Sequence, residues 1–172
     1  MINLPEKKIT KNQVIPFMDT SETIGSDWVP TWKRIDKSTI FDLAFNPQSE
    51  SVDYISMEAA VEEVSSYQPE LPQEIALYRG NVIYDFVEKL CINLPVGDSV
   101  KVPVLLCWPP KPKSSGSGED IQAWQVKECR LLLTNYNSVD GKITFTLKLG
   151  GTIEKGTATI TEGAPTFSAA AA

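Results

Sequence analysis

The sequence predicts a mainly β protein: a β-sandwich or partly closed barrel with one flanking α-helix, a long inter-strand loop and an N-terminal arm. Three observations predict it. Ile143, Phe145, Leu147 and Leu149 alternate with Thr144, Thr146 and Lys148, the pattern of a strand with one wet face. Apolar runs at 100–108 and 123–133, and a threonine-rich segment at 156–161, are punctuated by Gly, Pro, Asn and Asp. Only one segment, after Asn81, carries clear helical spacing.

Taken in order, residues 1–37 read as an arm, rich in proline yet carrying Val14, Ile15, Phe17, Met18, Trp28, Val29 and Trp32. So many large apolar groups are expected to pack on the chain's own domain or on a neighbouring subunit. Residues 38–172 read as a single β-rich domain. Strands are expected near 39–46 and 50–56, around the turn-like NPQSES. MEAAVEEVSSY favours helix by propensity, but its spacing is ambiguous, and a strand at 61–67 or a loop over an edge is preferred. Pro69 and Pro72 are expected to break any regular element.

Asn81 can cap the helix, with Ile83, Phe86, Val87 and Leu90 as its docking face on a sheet. Asp85 and Lys89 stand at helical ion-pair spacing, and Pro95 and Gly97 end the element. In the run from Val100 to Trp108, Pro103 is expected at an edge or bulge. Residues 109–120 (PPKPKSSGSGED) read as a flexible protrusion. The runs at 123–133 and 142–149 are expected to form a hairpin through the Asp140–Gly141 turn. Gly150 and Gly151 turn the chain again, and 168–172 form a short tail.

The chain has 172 residues and 19.0 kDa, 42% hydrophobic, enough for one domain with a real core. Its net charge is -6 and its pI about 4.7, which disfavours a phosphate-clamping surface. The acid is unevenly distributed. Between Lys37 and Arg79 lie eight acidic residues and no basic one: Asp42, Glu50, Asp53, Glu58, Glu62, Glu63, Glu70 and Glu74. Such a run suggests a surface that stays negative.

With no histidine and no nucleophile motif, no catalytic residue is expected and the chain does not read as an enzyme. Cys91, Cys107 and Cys129 read as small buried hydrophobes of a reducing cytosol, not as a disulfide framework or metal site. KSSGSGED lacks the end of a phosphate loop, so no cofactor is expected. No apolar run is long enough for a membrane span, and the first residues do not resemble a secretory signal.

Several segments together resemble the tail tube (major tail) proteins of long-tailed bacteriophages, most like those infecting Gram-positive bacteria. They are TWKRI at 31–35, DLAFNPQSESVDYI at 42–55, SSYQPELPQEIALYRGN at 65–81, DFVEKLCINLPVGD at 85–98, and the stretch from AWQVKECRLLL through EGAPTF at 123–167. The resemblance implies a virion protein, made in the host cytoplasm, that assembles into hexameric rings stacked as a tube. Such a tube encloses the tape-measure protein, meets terminator and tail-tip initiator proteins, and conducts DNA without specific binding.

It further implies that 47–74 is a long loop reaching the neighbouring ring. Tyr54, Tyr67 and Leu71 would then be packing anchors, joined by Trp28 and Trp32 of the arm. Thr144, Thr146 and Lys148, or their partners in 123–133, would line an acidic lumen or meet the next subunit. Lys148 suits a lumen only if it pairs with a carboxylate. Two alternatives remain open: a tail completion or connector ring protein, and a monomeric β-sandwich that binds through Trp108 and Trp124.

Overall fold

The computed structural model describes residues 6–22, 25–113 and 116–170. The chain order is β1 (Ile15–Asp19), β2 (Trp32–Arg34), β3 (Pro47–Val52), β4 (Val61–Tyr67), β5 (Glu70–Ala76), α1 (Val82–Asn93), β6 (Val104–Cys107), β7 (Lys111–Pro112), β8 (Glu119–Val126), β9 (Arg130–Asn137), β10 (Lys142–Lys148), β11 (Ile153–Thr161) and β12 (Ala164–Ala169). A seven-stranded antiparallel sheet runs β12–β11–β8–β6–β1–β2, with β7 paired to β8. A three-stranded sheet runs β5–β10–β9, and β3–β4 form a separate two-stranded ribbon.

The alternation of β10 decides how the sheets stack. Ile143, Phe145 and Leu147 are buried against Met18, Val104 and Val126 of the large sheet and Ile83 and Val87 of the helix. Each such side chain contributes about 1.5–3 kcal/mol by leaving water. The opposite face of the large sheet holds a second core of Phe17, Leu105, Cys107, Ala123 and Ala158. There β12 comes close to β2, so the sheet curls towards closure. The protein is therefore mainly β, a sandwich of a curled half-barrel on a small sheet with one helix at its flank.

The helix begins where expected. The Asn81 side chain accepts from the Tyr84 amide at 3.0 Å, and Leu94 ends the helix in the left-handed conformation before Pro95. Ile83 and Val87 are buried, while Phe86 and Leu90 pack at the margin of the core. Two details differ. Tyr84 is also buried, its hydroxyl bonded to Glu88 and Tyr136. Asp85 meets Arg79 rather than Lys89, which reaches Glu22 instead.

Several element boundaries depart from expectation, each for a local reason. Within 39–46 only Ala44 bridges, to Glu70, and the strand lies over the turn-like residues 47–52. Pro72 sits inside β5 instead of breaking it. The amides of Glu70 and Ala76, two residues before and four residues after Pro72 and so on the same edge as its nitrogen, point outwards to the Ala44 and Lys37 carbonyls. Pro72 thus lacks only a donor that β10 never needed.

The apolar run 123–133 is two strands in two different sheets. β8 ends at Val126, and residues 127–129 carry the chain across to β9, so the hairpin with β10 involves β9 alone. Of the run 100–108 only 104–107 is a strand, with Pro103 just before it. Residues 109–120 form a short hairpin where described, Lys111 opposite Asp120 and Pro112 opposite Glu119. Ser114 and Ser115 of that segment lie outside the described residues.

Both ends of the chain join the large sheet. The segment read as an arm supplies β1, an internal strand between β6 and β2; residues 1–5 and 23–24 lie outside the described residues. Its link to β2 is held by the buried Asp19 carboxylate. That group accepts from the Ser21 amide and hydroxyl, the Trp28 indole and the Thr31 amide at 2.6–2.9 Å. At the other end, Ser168 and Ala169 of the expected tail belong to β12, and 171–172 lie outside the described residues. β12 crosses so close to Gly156 that a Cβ there would lie 2.1 Å from the Ser168 carbonyl.

Candidate interaction surface

The ribbon is the part of the molecule least explained by its own core. Every residue of β4 is exposed, and β3 is exposed up to Val52. Its strands pair with each other, Glu50 opposite Glu63 and Ser51 opposite Glu62, and with no other strand. Near the tip, Ile55 is fully exposed, with Tyr54, Met57, Val61 and Val64 also in water. Segment 47–74 is thus not a loop but a ribbon followed by β5.

Asp42 precedes the ribbon, and the other seven acids of the run divide at Tyr67. Glu50, Asp53, Glu58, Glu62 and Glu63 stand on the ribbon, and among the described residues none forms an ion pair. Tyr54 donates its hydroxyl to Glu63 at 2.8 Å. Glu70 and Glu74 lie on β5 and pair with Lys148 and Lys142 of β10. The Lys142 ammonium, and after it the Thr39 hydroxyl, hold the Glu74 carboxyl below the usual carboxylate range.

Those pairs change the character of the outer face of the small sheet. Thr144 and Thr146 are half-exposed there, and Lys148 is exposed. Arg130, on the same face opposite Lys148, reaches Asp98 at 3.3 Å. Lys142, Lys148 and Arg130 all have carboxylate partners, so this face is close to charge-balanced rather than acidic.

The expected aromatic anchors are placed differently from one another. Trp28 and Trp32 stack edge-to-face at 5.9 Å within this chain, and the Trp28 indole is already bonded to Asp19. Leu71 is fully buried in the main core. Tyr54 and Tyr67 are exposed on the ribbon.

A cleft of about 960 Å³ lies between residues 7–14 and the β7 hairpin. Trp108 and Trp124 form its floor, edge-to-face at 5.0 Å, with Phe45 behind Trp124 at 6.4 Å. Lys7, Lys8 and Lys111 stand on its walls against one acid, Glu119. The alternative of a monomeric binding module names Trp108 and Trp124 as its contact. The lysines come from distant parts of the chain, and no local pattern announces them. A smaller apolar groove of about 460 Å³ runs past Leu94, Val96 and Leu132 at the end of the helix.

Among the described residues the three thiols lie apart from one another, two of them buried. Burial pushes the Cys107 thiol up to about 11, and raises that of Cys129 further. Among the described residues no group of three His, Cys, Asp or Glu is placed to hold a metal. No described helix is long and apolar enough to cross a membrane.

No protein-family model matches the chain, and no curated protein matches it. Among solved structures, it is similar to a chain in the cryo-EM structure of the anti-feeding prophage (AFP) baseplate, 6-fold symmetrised. The two share 7% identity at a TM-score of 0.44, over 88% of this chain and 97% of that one. A likeness this distant carries no argument about what the chain does.

Proposed function

We propose that this chain is a non-catalytic structural subunit of a phage particle, which assembles with copies of itself into stacked hexameric rings of a tail tube. The observation that carries the reading is the ribbon: a two-stranded projection with an apolar tip and five carboxylates in no ion pair, its strands exposed and paired only with each other among the described residues. Exposed apolar groups at the end of a charged, water-soluble stem are a common form of assembly contact. The edge of β9 beyond Arg130, which bridges to Lys101, pairs with no other strand among the described residues and supplies a second surface beside Leu132, suited to strand pairing around a ring.

In such a tube the small sheet's outer face, with Thr144, Thr146 and Lys148, lines the passage. DNA would then meet hydroxyls and cations already held by Glu70, Glu74 and Asp98, rather than a strongly negative wall. An unpaired ammonium there would grip phosphate, and pairing removes that grip. The tape-measure protein, a terminator and an initiator complex are the partners this role requires. A non-catalytic role is supported by the absence of histidine from the sequence and by thiols that burial keeps protonated.

Negative-stain electron microscopy over a protein concentration series, with light scattering on the same samples, tests the proposal. Rings or stacked tubes are the expected outcome. A strict monomer at every concentration, including after addition of preformed tail tips as nuclei, would overturn it. It would favour a monomeric module binding through the Trp108–Trp124 cleft, the one feature that suits that second reading.

A further inference from the structure

We propose, resting on the self-assembly reading above, that the Trp108–Trp124 cleft receives the tip of the β3–β4 ribbon from a second copy of this chain. The two surfaces complement each other in charge. The ribbon carries Asp53 and Glu58 beside its tip and no cation, whereas the cleft walls carry Lys7, Lys8 and Lys111 against a single acid. They also complement each other in apolar character. Tyr54, Ile55 and Met57 stand in water at the tip, and the cleft floor presents two indoles with Pro110 beside them. Thioether and aromatic groups pack well on indole, and an aliphatic side chain gains by leaving water.

The ribbon cannot fill its own cleft. It springs from Phe45, which already packs on Trp124. Six strand residues at about 3.3 Å each then carry the tip roughly 20 Å away. Donor and acceptor are therefore different surfaces of one molecule, separated by the length of the ribbon. A head-to-tail contact of that kind leaves a free tip at one end and a free cleft at the other, and so propagates from copy to copy. Charge pairing at the lysine rim sets the register of each step, and burial of the tip holds it.

Disulfide trapping in the full-length protein tests this directly. Cys91→Ala removes the half-buried thiol, and Cys107 and Cys129 are buried. On that background, copies with Ile55→Cys are mixed with copies carrying Lys111→Cys, and with copies carrying Lys33→Cys, an exposed β2 position, as the control. The expected result is a disulfide-linked dimer from the Lys111→Cys mixture, at least about tenfold above the control. Light scattering on the same samples separates the two readings. Assembly without the cross-link would overturn the cleft as acceptor, assign it to another occupant, and leave self-assembly standing. Neither assembly nor cross-link would overturn both.

Charge exchange gives an independent readout. Lys8→Glu with Lys111→Glu is expected to raise the protein concentration needed for assembly by roughly tenfold, the factor equivalent to about 1.4 kcal/mol. Adding Asp53→Lys and Glu58→Lys to the same chain is expected to restore it. Failure of the second pair to rescue the first would overturn the proposed contact.

Discussion

The acidic run between Lys37 and Arg79 enters two kinds of structure, and the contrast between them explains most of the molecule. On β5 its carboxylates face a strand that offers Lys148 directly opposite Glu70 and Lys142 diagonally from Glu74, while the intervening side chains Leu71 and Ile75 are buried. On the ribbon the same residue types face one another, Glu50 opposite Glu63, with no cation available and no core beneath. Like charges directly opposed in a sheet are destabilising, so β3–β4 is held together mainly by its backbone ladder, with the Tyr54–Glu63 and Ser65–Gln48 hydrogen bonds and the Val52–Val61 pair beside it. The first region is built to be part of one chain. The second is built to be completed by something else.

Deletion sharpens that contrast most strongly. Replacing residues 48–66 by a two-residue turn is expected to leave a folded monomer, with a melting temperature within a few degrees of the parent, that no longer assembles. Extending the deletion to residue 72 removes Glu70 and Leu71 from β5, and the chain is expected not to fold. Circular dichroism melts separate the two. If the shorter deletion also failed to fold, the ribbon would belong to the core after all.

Point substitutions repeat the test on a smaller scale. Phe145→Ala empties the centre of the main core and is expected to cost about 3–5 kcal/mol in urea unfolding. Val64→Ala, on the exposed ribbon, is expected to change stability by no more than about 0.5 kcal/mol. Comparable losses from both would erase the distinction.

The core side of this contrast was readable from residues, and the surface side was not. The alternation in β10, the Asn81 cap and the Asp140–Gly141 turn are local patterns, and the structure keeps them. The division of 123–133 between two sheets was invisible, because an apolar run has the same composition whether it stays in one sheet or crosses to another. Pro72 was misread because its tolerance depends on which edge of β5 its nitrogen faces. The acidic run suggested one negative surface. Pairing with Lys142 and Lys148, some seventy residues away in sequence, was a tertiary event that charge counting alone could not supply. The lysine walls of the aromatic cleft were hidden for the same reason.

Cys107 extends the comparison to alkaline pH. Its thiol ordinarily titrates near 9.0 and is pushed up to about 11 by burial in the second core. A thiol harder to ionise when folded favours the native state while it stays protonated. Between pH 9 and 11 the unfolded chain ionises it and the folded chain does not, so stability falls across that window. The loss is on the order of 2 kcal/mol. Cys107→Ala is expected to flatten that part of a urea-unfolding pH profile relative to the parent. Cys91→Ala, at the margin of the core, is expected to flatten it less.

The smallest effect separates the two halves of the acidic run themselves. The Glu74 carboxyl, held low by the Lys142 ammonium and the Thr39 hydroxyl, favours the folded state while it is ionised. That contribution is fully present above its ordinary value of 4.5 and is lost as pH falls through the lower value it has in the fold. Glu74→Gln is therefore expected to make the acid limb of the stability profile shallower, with little change below it. Glu62→Gln, on the ribbon with no cation facing it among the described residues, removes no ion pair and serves as the control. Thermal melts from pH 2 to 7 on the monomeric ribbon-shortened background serve Glu74, and the full-length protein below its assembly concentration serves Glu62. Equal changes from both substitutions would show that strand pairing does not divide the acidic run. A change at Glu74 alone would show that its paired half stabilises the fold, leaving the unpaired half free for contact between copies.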